Sequence, residues 1–384
     1  MRPQLHPHLQ KDFLNRGFSR RDFGRLTALL TGAATMPFYN EPALAQLSAL
    51  GRIPADGVKI NSNENPLGPC PEAIEAMYGA IRKGGRYQYE EAPAFAEAFA
   101  AAEGLPRDHV MPFAGSSDPL HRAILAFTSP TRSLVLADPT YEAGERAARF
   151  IGAKVVRVPL TKNYAHDTRA MAAADPNAGV IYVCNPNNPT GTLTPRGDLE
   201  FLIANKPKDA IVLLDEAYLH FSDARPCLDL AAAGKDLIVL RTFSKLYGMA
   251  GLRAGVAAGR PDLLQKIEPY GNNIMPATGM VGATASLQVK KLVSERRLIN
   301  RDIREEVFTF LEKREFSYTP SVSNKFMLDV KRPGMEVVKA LAAEKVFIGR
   351  VWPAMPTHVR VTIGTPEEMQ KFQEALLKVM GRRG

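Results

Sequence analysis

The sequence predicts an α/β protein: a mostly parallel β-sheet covered on both faces by helices, followed by a smaller α+β unit. Three observations predict it. Short β-rich apolar runs alternate with segments apolar at helical spacing between residues 110 and 258, the pattern of parallel strands joined by crossover helices. From about Asn273 the pattern changes to long polar helices and then a few strand-like runs. At 384 residues the chain is long enough for two such units and a large core.

The elements follow in order. Residues 51–89, rich in Gly, Pro and Asn, read as an arm that folds back onto the smaller unit. Val110-Met111-Pro112-Phe113-Ala114 is strand-like, and residues 118–127 are apolar at helical spacing, with Pro119 near the helix start. Residues 133–137 read as a strand and 141–150 as a helix. The runs 154–160, 180–184, 211–215, 237–241 and 253–258 read as further strands. Residues 280–310, with Arg and Glu interspersed, read as long polar helix. Strand-like runs at 324–330, 346–349 and 358–363 precede an amphipathic helix at 367–380. The expected organisation is a targeting segment 1–45, an arm with part of the small domain 46–92, a large domain 93–272 and a small domain 273–384. No internal repeat or low-complexity linker interrupts it.

The first 45 residues carry three targeting features in order. Ser19-Arg20-Arg21-Asp22-Phe23 resembles the twin-arginine export motif. Residues 26–40 follow without a charge, enough for a signal's apolar region but short of the roughly 20 residues that span a bilayer. Ala43-Leu44-Ala45 matches the small-residue pattern of a cleavage site. The expectation is a periplasmic or exported protein handled by the twin-arginine machinery, and a cytoplasmic one if the segment is not used. That route is understood to move folded chains.

The formal net charge is +9, and residues 1–45 hold six Lys/Arg and three Asp/Glu, leaving +6 for the rest. That excess suits anionic small molecules. No dense Lys/Arg run interleaved with aromatics appears, so nucleic acid is not the expected partner. Cys70, Cys184 and Cys227 are widely spaced, which excludes a disulfide framework. The seven histidines are scattered without ligand spacing, and no metal is expected.

The chemistry-bearing residues fall just after the apolar runs, where open α/β sheets bind ligands. Asp215 ends the run Ile211-Val212-Leu213-Leu214, and a carboxylate there needs a cationic partner. Lys245 follows Ser244 in Arg241-Thr242-Phe243-Ser244-Lys245. A lysine amine in an apolar cleft becomes nucleophilic. Ser244 and Arg253 suit a phosphate, as do Ser117 and Asp118 at a helix start. Tyr218 and Asn188 can hold a ring oxygen from two sides, and Tyr141 can stack on a ring. One cofactor needs this set together: pyridoxal 5'-phosphate, with an aldehyde for the lysine, a pyridine nitrogen for the carboxylate and a phosphate. Arg360, among apolar alternates in His358-Val359-Arg360-Val361-Thr362-Ile363, can take a substrate anion with two parallel hydrogen bonds. Arg350 is a second substrate-binding candidate.

Asn63-Glu64-Asn65-Pro66-Leu67-Gly68, Asn185-Pro186-Asn187-Asn188-Pro189-Thr190-Gly191, Asp215-Glu216-Ala217-Tyr218, the Lys245 segment with Gly248-Met249-Ala250-Gly251-Leu252-Arg253, and Val359-Arg360-Val361-Thr362-Ile363-Gly364-Thr365 occur in that order. In type, order and spacing the chain resembles the fold-type I pyridoxal-phosphate aminotransferases, and within them the histidinol-phosphate aminotransferase group. The resemblance runs from about Ile60 to the C-terminus. It implies a large domain built on a seven-stranded sheet and a smaller α+β domain. It makes Lys245 the Schiff-base lysine, Asp215 the pyridinium partner, and Tyr218 and Asn188 the ring-oxygen donors. Tyr141 becomes the stacking ring, and Ser117, Asp118, Ser244 and Arg253 the phosphate ligands. Asn65, Arg350 and Arg360 become substrate-binding residues. It also implies a homodimer in which a partner tyrosine reaches the phosphate, with Tyr87 the candidate and Tyr89 the alternative. The reaction implied is transfer of an amino group between an L-amino acid, or a histidinol-phosphate-like amine, and a 2-oxo acid.

The chain departs from that group in three places. Ser116-Ser117-Asp118-Pro119 puts a proline where an acid is usual. Trp352, the only tryptophan, sits in Gly349-Arg350-Val351-Trp352-Pro353 and invites an aromatic donor. An exported copy would not meet the intermediates of histidine synthesis. The same cofactor site also serves decarboxylases and lyases, because the bond that breaks depends on its orientation to the ring. A non-catalytic binding protein is the remote alternative.

Overall fold

The computed structural model describes residues 7–19, 53–271 and 274–381. The twin-arginine pair, the uncharged stretch after it and the Ala43–Ala45 motif lie outside the described residues. Twelve strands are present among the described residues: β1 (Val58–Ile60), β2 (Val110–Phe113), β3 (Ser133–Asp138), β4 (Val155–Pro159), β5 (Ala178–Cys184), β6 (Ile211–Asp215), β7 (Leu237–Thr242), β8 (Gly255–Gly259), β9 (Ser317–Tyr318), β10 (Lys325–Asp329), β11 (Val346–Ile348) and β12 (His358–Thr362).

Seven of them form one sheet in the order β2-β8-β7-β6-β5-β3-β4. All run parallel except β8, which is antiparallel to β7 and β2. The core explains the near-continuous apolar strands. Val180, Tyr182 and Cys184 of β5 and Ile211 and Leu213 of β6 face one core, with the helices Ser117–Phe127 and Ala143–Phe150. Ile181, Val183, Val212 and Leu214 face the opposite core, with the helices Glu91–Glu103 and Arg196–Asn205. A side-chain period of two therefore reads as an unbroken hydrophobic run when both faces are buried. The edge strands depart from this: β4 is the most exposed, and β2 is half-buried at Met111 and Pro112.

A three-stranded antiparallel sheet, β12-β10-β9, and the parallel pair β1-β11 form the second unit. Their side chains share a core with the closing helix Pro366–Val379, whose Thr365 and Glu368 make a capping box. The arm returns through β1, where Val58 pairs with Val346. The helix Pro71–Arg82 instead packs into the core of the large sheet through Ala73 and Met77.

Two boundaries differ from the sequence expectation. The long helical stretch is two helices, Ala277–Gln288 and Leu292–Lys313, separated at Val289, which is extended. Its first half is not a polar helix: Met280 and Ala283 are buried in the large core, so tertiary packing divides what charge pattern alone joins. The helix expected from Tyr141 begins at Ala143, which leaves Tyr141 in the loop after β3.

The helix Pro7–Asn15 lies against the large unit. Phe13 and Phe18 are 1% and 2% exposed and belong to the same core as Phe127 and Tyr270. Between them Arg16 donates to the Tyr270 hydroxyl (2.8 Å) and to the carbonyls of Leu125 (2.8 Å) and Thr128 (3.1 Å).

Candidate active site

The topology brings the expected residues to one edge of the large sheet. Cys184, Asp215 and Thr242 end β5, β6 and β7, and the loops after β2 and β3 supply Ser116, Ser117 and Tyr141. Because β8 runs the other way, its start lies at the same edge, and Arg253 just before it arrives there too. A cleft opens at this edge. Its lining includes Ser117, Tyr141, Asn188, Asp215, Tyr218, Ser244, Lys245 and Arg253.

Asp215 is 3% exposed. Tyr182 donates to its Oδ2 (3.0 Å) and the Ala217 amide to its Oδ1 (3.1 Å). Burial nevertheless outweighs these bonds and the nearby cations Lys245 and Lys325, and pushes the carboxyl up to about 6. Lys245 is buried, donates to the Ser62 carbonyl (3.4 Å), and places its Nζ 5.5 Å from the centroid of the Tyr218 ring.

The ring-oxygen candidates are joined in one network. The Asn63 amide donates to the Tyr218 hydroxyl (3.1 Å) and to Asn188 Oδ1 (3.4 Å), and Arg360 donates to the same Asn188 oxygen (2.9 Å).

On the other side, Arg253 donates to Ser244 Oγ (3.1 Å) and to the carbonyls of Ala250 (2.9 Å) and Ala114 (3.2 Å). It holds a left-handed backbone, φ +57°, an uncommon conformation for a non-glycine residue that these bonds offset. Gly115, at φ +88°, makes room for it: a Cβ there would lie 2.2 Å from Arg253 Nη2. The helix Ser117–Phe127 opens onto the cavity at Ser117, so its unpaired amides add to an anion cradle. Burial without a facing carboxylate lowers Arg253 from its ordinary value. A phosphate would be its natural counter-ion.

Six expected residues, counting both tyrosine candidates, do not line this cavity. The Asp118 carboxylate is taken by Arg122 at 2.7 and 2.8 Å, an i,i+4 pair. Asn65 donates to the Leu246 carbonyl (2.7 Å) beside Lys245. Arg350 makes a two-bond ion pair with Glu142 (2.8 and 2.6 Å). Arg360 is fully buried and donates to Asn188 Oδ1 (2.9 Å) and to the Asn61 carbonyl (2.7 Å). Tyr87 and Tyr89 point outward, 78% and 76% exposed, and stack on each other at 5.2 Å. Trp352 is 1% exposed, with the guanidinium groups of Arg350 and Arg360 at 4.2 and 5.4 Å from its ring, so it supports the arginines from within the core.

Sequence reasoning missed Asn63, Tyr182 and Lys325. Tyr182 had a signal: it lies two residues before Cys184 on β5, and Cys184 pairs with Asp215, so Tyr182 shares the Asp215 face. Also missed was the support under the Lys245 loop. Arg241 and Glu216, each 2% exposed, pair at 2.8 Å, with Glu103 at 3.2 Å and His220 Nε2 at 2.6 Å from Arg241.

Fold and site together define the fold-type I, pyridoxal-phosphate-dependent aminotransferases. The buried carboxylate that resists ionisation without a cation, the reachable lysine amine and the serine–arginine cradle fit that cofactor's nitrogen, aldehyde and phosphate. The family description "Aminotransferase class I and II" matches residues 55–376, and the chain belongs to that family. It is 33% identical over 336 residues to histidinol-phosphate aminotransferase of Moorella thermoacetica, covering 85% of this chain and 86% of that one. It is similar in structure to a putative histidinol-phosphate aminotransferase of Erwinia carotovora atroseptica, with a TM-score of 0.81, 32% identity, and coverage of 84% and 96%. The histidinol-phosphate aminotransferase of Sinorhizobium meliloti, solved with pyridoxal 5'-phosphate, shares the fold at a TM-score of 0.81 and 24% identity, with coverage of 94% and 99%.

Proposed function

We propose that this aminotransferase takes the amino group of an L-amino acid, with Lys245 as tether and proton carrier and Asp215 as partner of the cofactor nitrogen. The carrying observation is that Lys245, Asp215, Ser244 and Arg253 line one cavity. Bound pyridoxal phosphate supplies an electron sink for the pair left at the amino-acid Cα. The Lys245 amine, once displaced from its tether, moves the Cα proton. Asp215 keeps the pyridine nitrogen protonated. Tyr218 and Asn188 hold the ring oxygen, and Tyr141 stacks on the ring. Ser117, Ser244, Arg253 and the first amides of the helix at Ser117 hold the phosphate, Asp118 contributing its backbone. Arg360 anchors the substrate carboxylate, and Asn65 fixes the backbone next to Lys245.

One observation favours an amino acid over histidinol phosphate as the donor. Arg350, the second candidate cation, is already neutralised by Glu142. With Arg350 held by an acid, Arg360, which donates to Asn188, is the other candidate cation, and a guanidinium can take a substrate carboxylate with two parallel hydrogen bonds. The names of the relatives favour histidinol phosphate instead. A donor screen decides. The cofactor-loaded protein is mixed with L-amino acids or histidinol phosphate, and conversion of the bound aldehyde to the amine form is followed by absorbance. We expect conversion by amino acids, reversed by a 2-oxo acid, and a gain for histidinol phosphate in Glu142→Gln. Carbon dioxide release without the amine form would replace transamination by decarboxylation.

We further propose a homodimer in which Tyr87 of one copy completes the phosphate site of the other. The exposed Tyr87–Tyr89 stack supports it. Tyr87→Phe should weaken cofactor binding only in the dimer. We also propose twin-arginine export, on the strength of Ser19–Phe23, the uncharged stretch and the Ala43–Ala45 motif. Replacing Arg20 and Arg21 with Lys should hold the protein in the cytoplasm, and unchanged fractionation would refute it.

A further inference from the structure

We propose that Lys325 is a positioning residue of this site: a buried ammonium that strengthens the Tyr218 hydroxyl as a donor to the cofactor's ring oxygen. The inference rests on the reading of Lys245 as tether and Tyr218 as ring-oxygen donor.

Lys325 begins β10 in the small sheet, paired with Thr362. Its side chain is 0% exposed, although lysine is among the residues least often buried. The strand continues with Phe326, Met327 and Leu328, all fully buried, so an apolar side chain would suit the packing. The lysine instead reaches across to the large unit and sets its Nζ 3.0 Å from the centroid of the Tyr218 ring. It donates to Ser323 Oγ (3.0 Å), and its carbonyl accepts a short bond from Ser321 Oγ. The Ser323 bond holds the ammonium against the ring face, and the Ser321 bond ties the strand start that carries it.

A cation on an aromatic face attracts the ring electrons. It also favours the anionic form of a nearby acid. Both effects make the phenol a better proton donor. The other groups in the neighbourhood are Asp215 and Tyr182 from β6 and β5, Cys184 at the end of β5, and Lys245 on the same ring at 5.5 Å. Lys325 acts on two of them in the same sense, holding down Asp215 and Cys184 against burial. A stronger donor to the ring oxygen withdraws electron density and weakens the proton on the Lys245 Nζ tether. The small unit would thus tune the chemistry held by the large one through a single side chain.

The test is an absorbance pH titration of the cofactor-loaded protein for the native chain, Lys325→Met and Lys325→Arg, with thermal melts of the cofactor-free forms as a fold control. Lys325→Met should raise the titration midpoint by about one pH unit, the size of one neighbouring charge. It should lower kcat with little change in KM. Lys325→Arg should restore both. In a Tyr218→Phe background the same substitution should leave less than a third of the shift, because the path through the hydroxyl is gone. Should Lys325→Met not fold, Lys325→Gln removes the same charge and keeps a donor for Ser323. An unchanged midpoint in a folded neutral variant overturns the proposal, and so does a full shift in the Tyr218→Phe background. Failure of the underlying reading looks different: borohydride would then fix no cofactor at Lys245 of the native chain.

Discussion

Asp215→Asn separates what the carboxylate costs the cofactor-free protein from what it does for the cofactor. Burial raises Asp215 from 3.8 to about 6, and the side chain is 3% exposed, so solvent screening is small. A folded pKa above the unfolded one means that ionisation opposes folding. The penalty is absent below pH 3.8, grows through the window up to about pH 6, and then stays constant at about 3 kcal/mol. Asparagine carries no such charge. Its oxygen can accept from the Ala217 amide, and its NH₂ can donate to Tyr182, whose hydroxyl reverses its role. Per-residue unfolding entropies imply about 0.8 kcal/mol per degree for a chain of this size. Cofactor-free Asp215→Asn should therefore melt roughly 4 °C above the native protein at pH 8, with the gain fading towards pH 4. The cofactor should reverse the order, because only the carboxylate pairs with a protonated ring nitrogen. Scanning calorimetry at pH 4, 6 and 8, with and without cofactor, reads both effects. A variant less stable than native at pH 8, or a gain independent of pH, would refute the reasoning.

Three further outcomes are expected. Lys245→Ala should lose borohydride-stable cofactor and fall in turnover by roughly 10²–10⁴-fold, checked by mass spectrometry and steady-state assay. Gly115→Ala puts a Cβ 2.2 Å from Arg253 Nη2 at a backbone angle that favours glycine. It should weaken cofactor binding about ten- to a hundredfold, measured by fluorescence titration. Glu216→Ala leaves Arg241 buried with only Glu103 opposite it. That should cost about 3 kcal/mol, a melting point roughly 4 °C lower.

The large sheet was legible because both its faces are buried, so β5, β6 and β7 read as unbroken apolar runs ending in Cys184, Asp215 and Thr242. The motif residues could be read for the same reason: each follows a strand end. What escaped depends on register and on contacts between units. Asn63 reaches the site from the loop after β1, 125 positions from Asn188, and Lys325 from β10, far along the chain from Tyr218, and nothing local marks them. Asp118 reads from the sequence as a helix-start residue, and nothing local shows that an i,i+4 arginine claims its carboxylate. Arg350 read as a substrate cation because Glu142 lies 208 positions away.

The docked N-terminal helix gives any trimming of this chain a visible price. Cleavage after Ala45 would carry off Phe13, Arg16 and Phe18 together, baring the apolar seat around Phe127 and handing the Tyr270 hydroxyl and two carbonyls back to water. Precursor and processed enzyme would then differ in surface stickiness far from the catalytic edge, and a dye that lights up on greasy protein could tell one from the other.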